Sequence, residues 1–369
     1  MRHYLISKPF RQQLNLLICL LSLCFVLGFA ACSRTDGPDG PQVMPRTVRI
    51  GYQVIPNVGL LAKNLKLAER KFPDVHISWQ PFSAGWRVNA AMLEDEIDIG
   101  MVGSIPAATA IAQGLPIQVY TIHNIINENE ALAVKNTASI GKIADLRGKT
   151  IAVPFGSTSH FSLLSAIAQS GINADEVTIL DMGISELTTA WDRDTIDGSF
   201  VWQTTLSQLL NDDGSVLITA GEVSEAGALT ADLGTVSNEF ISTYPQFLTD
   251  FVTVLDDAVQ FYRETPREAA SAIAREVGFS VEDSLAAMNE LVWLTSEEQS
   301  SAEYMGSPDD PGDVAQMLKN SADFMATLKA IPPAPDLAIF EDALHEDALH
   351  DNRAPRTRGL GGDATVLFY

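Results

Sequence analysis

The run VPFGSTSHFSLLSAI at 153–167 places Ser157, Thr158, Ser159 and His160 where an apolar stretch gives way to a helical pattern. A hydroxyl at such a junction caps the helix by accepting from the unpaired N–H groups of its first turn. Several hydroxyls beside those groups can instead hold an anion, for which a helix N-terminus offers donors and a favourable dipole. One cap needs one hydroxyl, so the stretch by itself leaves both readings open. MVGSIPAA at 101–108 repeats the order of strand, glycine, hydroxyl and helix, with Ser104 as the hydroxyl. Gln53, Glu130 in NENEALAV and Trp202 in IDGSFVW bring polar or aromatic groups to three more strand ends. Ligands of open α/β sheets gather beyond the carboxyl ends of strands. These residues are therefore the candidate binding set.

Other chemistries lack their parts. GKT at 148–150 has Ile143 where a phosphate-binding loop needs glycine. No G-x-S-x-G elbow surrounds the three hydroxyls, and His160 is too near in sequence to serve as their base. HExxH and CxxC are absent, and the three cysteines, Cys19, Cys24 and Cys32, all precede the body of the chain. The body therefore has no disulfide, thiolate metal site or cysteine nucleophile. The repeated unit EDALHEDALH at 341–350 sets His345 and His350 among carboxylates, but a five-residue period does not keep one helix face aligned. We expect no metal and no cofactor. Net charge is −23, and loss of residues 1–31, which hold three basic and no acidic residues, would take it to −26. Nucleic acid is thereby excluded as a partner. The overall field does not draw anions either, so an anion site must be local.

The elements that must position these residues are α/β. With 369 residues, 46% of them hydrophobic, the chain can build two lobes with separate cores. From Thr47, strand patterns (VRIGYQVI, VHISWQPF, IDIGMV, LPIQVY) alternate with helical ones at 59–72, 87–94 and 107–113. A second set with the same grammar starts at Ala131 and runs through SVLIT, and LTADLGTVSNEF reads as a strand returning to the first lobe. Helices are expected at 245–265, 266–277, 281–292 and 311–328, punctuated by Pro or Gly. Such alternation predicts mainly parallel sheets flanked by helices. The expected arrangement is lobe 1 from 47–130 and 231–330, lobe 2 from 131–230, and a solvated tail at 331–369. The chain would cross near 131–136 and 228–236.

The N-terminus reads as an export signal: Arg2, Lys8 and Arg11 precede an apolar stretch from Leu14 to Ala31. Its end, FAAC, resembles a bacterial lipoprotein signal, in which Cys32 becomes the lipidated first residue of the mature chain. Residues 32–46 are rich in Gly, Pro and polar residues and read as a flexible tether.

The run DLRGKTIAVPFGSTSHFSLL at 145–164 resembles the corresponding run of periplasmic taurine-binding proteins, the solute receptors of taurine and alkanesulfonate ABC importers. The likeness extends through IDIGMVGSIPAA at 97–108, NENEALAVK at 127–135, TAWDRDTIDGSFVW at 189–202 and GALTADLGTVSNEF at 227–240. It implies a type II periplasmic-binding-protein clamshell without catalysis, a monomer that hands its ligand to an ABC permease and its ATPase subunits from a lipid anchor. It also implies that Asp232 matches an acid facing the ligand's ammonium. Taurine is a zwitterion, so Ser104, Ser157, Thr158 and Ser159 would take its sulfonate, Asp232 and Glu130 its ammonium, and Trp202 would close a wall. Ala84 stands where the family usually has serine, and Gly234 where it has tryptophan. The second departure suggests a roomier site, partly refilled by Trp86.

Overall fold

The computed structural model describes residues 43–307 and 310–349. The stretch expected to be an export signal, Cys32, most of the expected tether, His350 and residues 351–369 lie outside the described residues.

Lobe 1 begins with β1 (Thr47–Tyr52), α1 (Val58–Asn64), α2 (Leu67–Lys71), β2 (His76–Pro81), α3 (Gly85–Leu93), β3 (Ile99–Gly103), α4 (Ser104–Ala112) and β4 (Ile117–Ile126). The helix expected over 59–72 is two short ones, broken at Lys66, whose φ of 53° is left-handed. Lobe 2 follows with β5 (Glu130–Lys135), β6 (Thr150–Val153), α5 (Thr158–Gln169), β7 (Thr178–Asp181), α6 (Ile184–Asp192), β8 (Gly198–Trp202), α7 (Thr205–Asn211), β9 (Gly214–Thr219) and α8 (Ala220–Ser224). The chain returns through β10 (Ala231–Ser237) to α9 (Asn238–Thr243), α10 (Pro245–Glu264), α11 (Pro266–Val277) and α12 (Val281–Asn289). Proline opens both α10 and α11, where its missing N–H costs nothing, and Gly278 stops α11 at a φ of 75°. The helix expected through Val292 ends at Asn289, because β11 (Leu291–Val292) pairs with the exposed edge of β4. Helices α13 (Ser296–Gln299), α14 (Asp313–Thr327) and α15 (Leu337–Glu341) complete the described chain.

The two large sheets run β11-β4-β10-β3-β1-β2 and β7-β6-β8-β5-β9, and residues 306–307 pair with 310–311 in a small antiparallel ribbon. Each large sheet is parallel except where a crossing strand enters it and at the short edge strand β11, which is antiparallel to β4: β10 is antiparallel to β3 and β4, and β5 to β8 and β9. The reversal follows from connectivity. A chain that leaves one lobe at the carboxyl ends of its parallel strands enters the other from the same side and must run away from it. Residues 130–135 and 231–237 are laddered into the sheets, and the segments that join one sheet to the other are 127–129 and 225–230. Glu130 and Asp232 consequently open the reversed strands. They sit opposite Trp202, which ends β8, and Gly103, which ends β3. The two acids are thus carried to the side where ligands of parallel sheets collect.

Lobe 1 buries a continuous core on both faces of its sheet, and lobe 2 buries separate clusters on its two faces. Phe161 and Ala166 of α5 and Val223 of α8 join the lobe 1 core, with Phe161 edge-on to Phe324 of α14 at 4.9 Å. The tail, expected to be solvated, packs on lobe 1 through Leu349. The Val119 N–H donates to the Ala343 carbonyl and the His345 N–H to the Val119 carbonyl, each at 2.8 Å. Both Ala-Leu pairs of the repeat, Ala343-Leu344 and Ala348-Leu349, are buried. Apolar pairs inside an acidic repeat give the tail something to bury.

Candidate functional site

Three helix N-termini converge on a cavity between the lobes. From lobe 1 come Ala84, Gly85 and Trp86 at the start of α3 and Gly103 and Pro106 around the start of α4; from lobe 2 come Gly156, Ser157 and Thr158 at the start of α5. Only α5 is capped by a side chain: Ser157 Oγ accepts from the His160 N–H at 3.2 Å, whereas the N-caps of α3 and α4, Ala84 and Gly103, contribute none. The first-turn N–H groups of a helix lack an intrahelical partner, and the positive end of its dipole lies there, so these three helix starts bring donors to one wall. Gln53, Ile55, Pro154, Phe155, Trp202, Glu130 and Asp232 complete the wall, and no lining residue is basic. The volume is about 40 Å³.

The extra hydroxyls of the GSTS run are spoken for. Thr158 Oγ1 donates to Glu130 Oε1 at 2.5 Å and Ser159 Oγ to Glu130 Oε2 at 3.0 Å. Ser157 Oγ donates to the Pro154 carbonyl at 2.6 Å while it caps. The group these hydroxyls hold is the chain's own carboxyl. Burial pushes Glu130 up to about 8, with Asp232 adding to the rise and both hydroxyls opposing it. Asp232 faces it from lobe 1 and is pushed up to about 6 by burial. The amide of Asn124, its partner across β4, tempers that rise without reaching hydrogen-bond geometry. Asp232 Oδ2, both amide atoms of Asn124 and Ser104 Oγ are buried without a partner. Of these only Asp232 lines the cavity; an unsatisfied buried acceptor is costly, and there it marks where a donor-bearing ligand would sit.

A sequence comparison decides the lineage. The pattern of the NMT1/THI5-like family matches residues 75–269, more than half of the chain. The chain belongs to the NMT1/THI5-like family. It is 35% identical over 250 residues to the taurine-binding periplasmic protein of Escherichia coli K12, covering 66% of this chain and 77% of that one. Among solved structures it is similar to the alkanesulfonate-binding protein SsuA from Xanthomonas axonopodis pv. citri bound to MOPS, with a TM-score of 0.68 and 23% identity over 82% of this chain and 99% of that one. The periplasmic aliphatic sulphonate binding protein SsuA from Escherichia coli gives 0.67 and 22% over 80% and 92%. At those identities the likeness is one of fold, the periplasmic-binding-protein clamshell.

Within this NMT1/THI5-like clamshell the sequence-derived residues separate. Gln53, Glu130, Ser157, Thr158, Trp202 and Asp232 line the cavity; Ser104, Ser159 and His160 do not. Ser104 is the first helical residue after the Gly103 cap, with its side chain fully buried. Ser159 is turned onto Glu130. His160 points behind α5, stacked on Phe155 at 4.2 Å and edge-on to Phe324 at 5.8 Å. Its Nδ1 accepts from the Gly156 N–H at 3.3 Å, and burial lowers its pKa to about 4 despite the opposing Asp181. Two residues on from Thr158, and so about 200° round the helix, it lies away from the face that Thr158 presents. Gly234 does not enlarge the site: a Cβ there would meet the Tyr120 ring at 2.7 Å, so that ring already fills the space.

Sequence reading passed over Gly85, Gly103 and Phe155 as wall residues. The signals for the two glycines were their positions just before or at helix starts. A Cβ on Gly85 would meet Pro106 Cγ at 2.5 Å, and one on Gly103 would meet Thr158 Cγ2 at 2.9 Å. The second contact joins the lobes, which are drawn together around the cavity. Among the described residues no group of three or more His, Cys, Asp or Glu is placed to hold a metal, and no helix is long and apolar enough to cross a membrane.

Proposed function

We propose that the protein captures taurine, or a closely related amino-sulfonate, between its lobes and delivers it to the permease and ATPase of an ABC importer. The observation that carries this reading is one small cavity with three helix N-termini on one part of its wall, Glu130 and Asp232 on another, and no basic side chain. That charge pattern is the complement of a short zwitterion: N–H groups for the sulfonate and carboxylates for the ammonium. The resemblance to the taurine-binding protein supports the same ligand class. The hydroxyl commitments refine the assignment of roles. Backbone N–H groups at the starts of α3 and α5 take the sulfonate, Asp232 with Glu130 takes the ammonium, and Trp202 closes a wall. Ligand bridging both lobes favours the closed state by its higher affinity for it. The protein acts as a monomer in the periplasm, lipid-anchored through Cys32, and performs no catalysis; cysteine-dependent enzymes of this fold rely on a residue that occurs here only at positions 19, 24 and 32.

Calorimetric titration with taurine, and then with an alkanesulfonate of similar length lacking the amine, tests the reading. Tight binding of taurine alone is expected. Equal or better binding of the plain sulfonate would make the protein an alkanesulfonate receptor, the runner-up reading. No heat from either would refute the sulfonate assignment.

A further inference from the structure

Glu130 is placed unlike a simple cation ligand. Both of its carboxyl oxygens lie beside a hydroxyl, Thr158 Oγ1 at 2.5 Å and Ser159 Oγ at 3.0 Å, each able to donate to a carboxylate or accept from a protonated carboxyl, and its residue is 3% exposed. It shares the cavity with a second carboxyl, Asp232, on the opposite lobe, and no lining side chain is cationic. Two carboxylates in one water-poor space repel each other unless one is protonated or a cation stands between them.

The other titratable groups around Glu130 do not relieve this. On α5 only His160 titrates, and it points behind the helix, held neutral by burial. On β4 His123 is fully buried and lowered to about 3. On α3 Arg87 lies over the exposed Trp86 ring, 4.4 Å from its centre. Near the crossings, Glu128 and Glu290 are further acids. Strands β3, β8 and β9 and helix α4 carry no ionisable side chain. At the far end of β5 the ammonium of Lys135 is held by Asp194.

We propose that Glu130 holds a proton in the empty cleft and surrenders it when an ammonium enters, so that capture of an amine-bearing ligand releases one proton. The inference rests on the amino-sulfonate reading above. The balance is simple: the neutral carboxyl and the incoming ammonium become a carboxylate–ammonium pair, and the proton leaves to solvent. In the empty protein the proton removes the repulsion from Asp232; in the complex the ligand's cation does so. A plain sulfonate brings no cation and leaves the proton in place. Glu130 thereby separates ligands by charge as well as by contact.

The test is calorimetric titration of the full chain with taurine in phosphate and in Tris, buffers of very different protonation enthalpy; sulfonate buffers are avoided because they resemble the ligand. At pH 7 the enthalpies should differ by an amount equivalent to close to one proton released per taurine. Affinity should weaken about tenfold per unit as the pH falls from 7 to 6. A plain alkanesulfonate should show no buffer dependence, and Glu130→Gln should bind taurine more weakly, with almost no proton release at pH 7 and no pH dependence between 7 and 8. Taurine binding with buffer-independent enthalpy overturns the inference and leaves the ligand reading intact. Equal release from the plain sulfonate, or release that survives in Glu130→Gln, overturns it too, since the proton would then come from elsewhere. If taurine does not bind at all, the ligand reading falls and takes this inference with it.

Discussion

Gly103→Ala tests whether the lobe-to-lobe contact is part of binding. Gly103 has φ −66° and ψ 160°, an extended conformation that alanine adopts freely, so the substitution adds a methyl without backbone strain. That methyl would stand 2.9 Å from Thr158 Cγ2, well inside van der Waals contact. Thr158 cannot simply turn away, because its hydroxyl is held by Glu130 at 2.5 Å. Either the lobes stay apart or that hydrogen bond breaks, and overpacking of this kind costs about 1–3 kcal/mol. The cost falls on the closed state, so it should appear in ligand affinity, about 5–150-fold weaker at 1.4 kcal/mol per factor of ten. Calorimetry with taurine reads the loss, and thermal unfolding without ligand should be unchanged if the empty protein rests open. Adding Thr158→Ser removes the opposing methyl but keeps the hydroxyl, and should restore most of the affinity. Wild-type affinity in Gly103→Ala, or no rescue in the double variant, would refute closure through this contact.

Asp232→Ala should weaken taurine by about 10–150-fold, the range for loss of a charge-assisted hydrogen bond at 1.5–3 kcal/mol, and plain alkanesulfonates far less; equal losses would refute the ammonium role. Ala84→Ser supplies the hydroxyl cap that α3 lacks and should add about 1 kcal/mol of stability, visible as a rise in Tm of about 2 °C; an unchanged Tm would mean that the hydroxyl turns into the cavity instead. For the unliganded protein, pH acts in two directions. Glu130 is raised, so the folded state holds its proton where the unfolded state has lost it, and this contribution to stability declines as pH rises from about 4.5 to about 8. His123 and His160 are lowered, so their contribution is present above the ordinary histidine value and is lost as pH falls. Comparing wild type with Glu130→Gln cancels the histidines. The Tm difference, wild type minus variant, should increase as pH falls from 8 to 5.5, and a difference independent of pH would refute the buried neutral carboxyl.

What the residue order determined by itself is local. Period-two apolar runs and helical periodicity place the strands and long helices of both lobes, and prolines at 245 and 266 with Gly278 mark helix ends, because each signal acts within one turn or one strand. The strand-end rule brought Gln53, Glu130, Ser157, Thr158 and Trp202 forward, and resemblance added Asp232; all six line one cavity. Tertiary structure decided the rest. The pairing of Thr158 and Ser159 with Glu130 joins residues 28 and 29 apart in sequence, so a hydroxyl run that reads as an anion site is already half occupied by the chain's own acid. His160 faces away because helix rotation, set by the docking of α5 on Phe324, outweighs its nearness in sequence. Tyr120 fills the space above Gly234 from a neighbouring strand, and the tail packs where Val119 leaves a free edge, two outcomes of sheet order. Which buried acid keeps a proton likewise depends on what other elements bring near it, and a linear sequence carries no record of that neighbourhood.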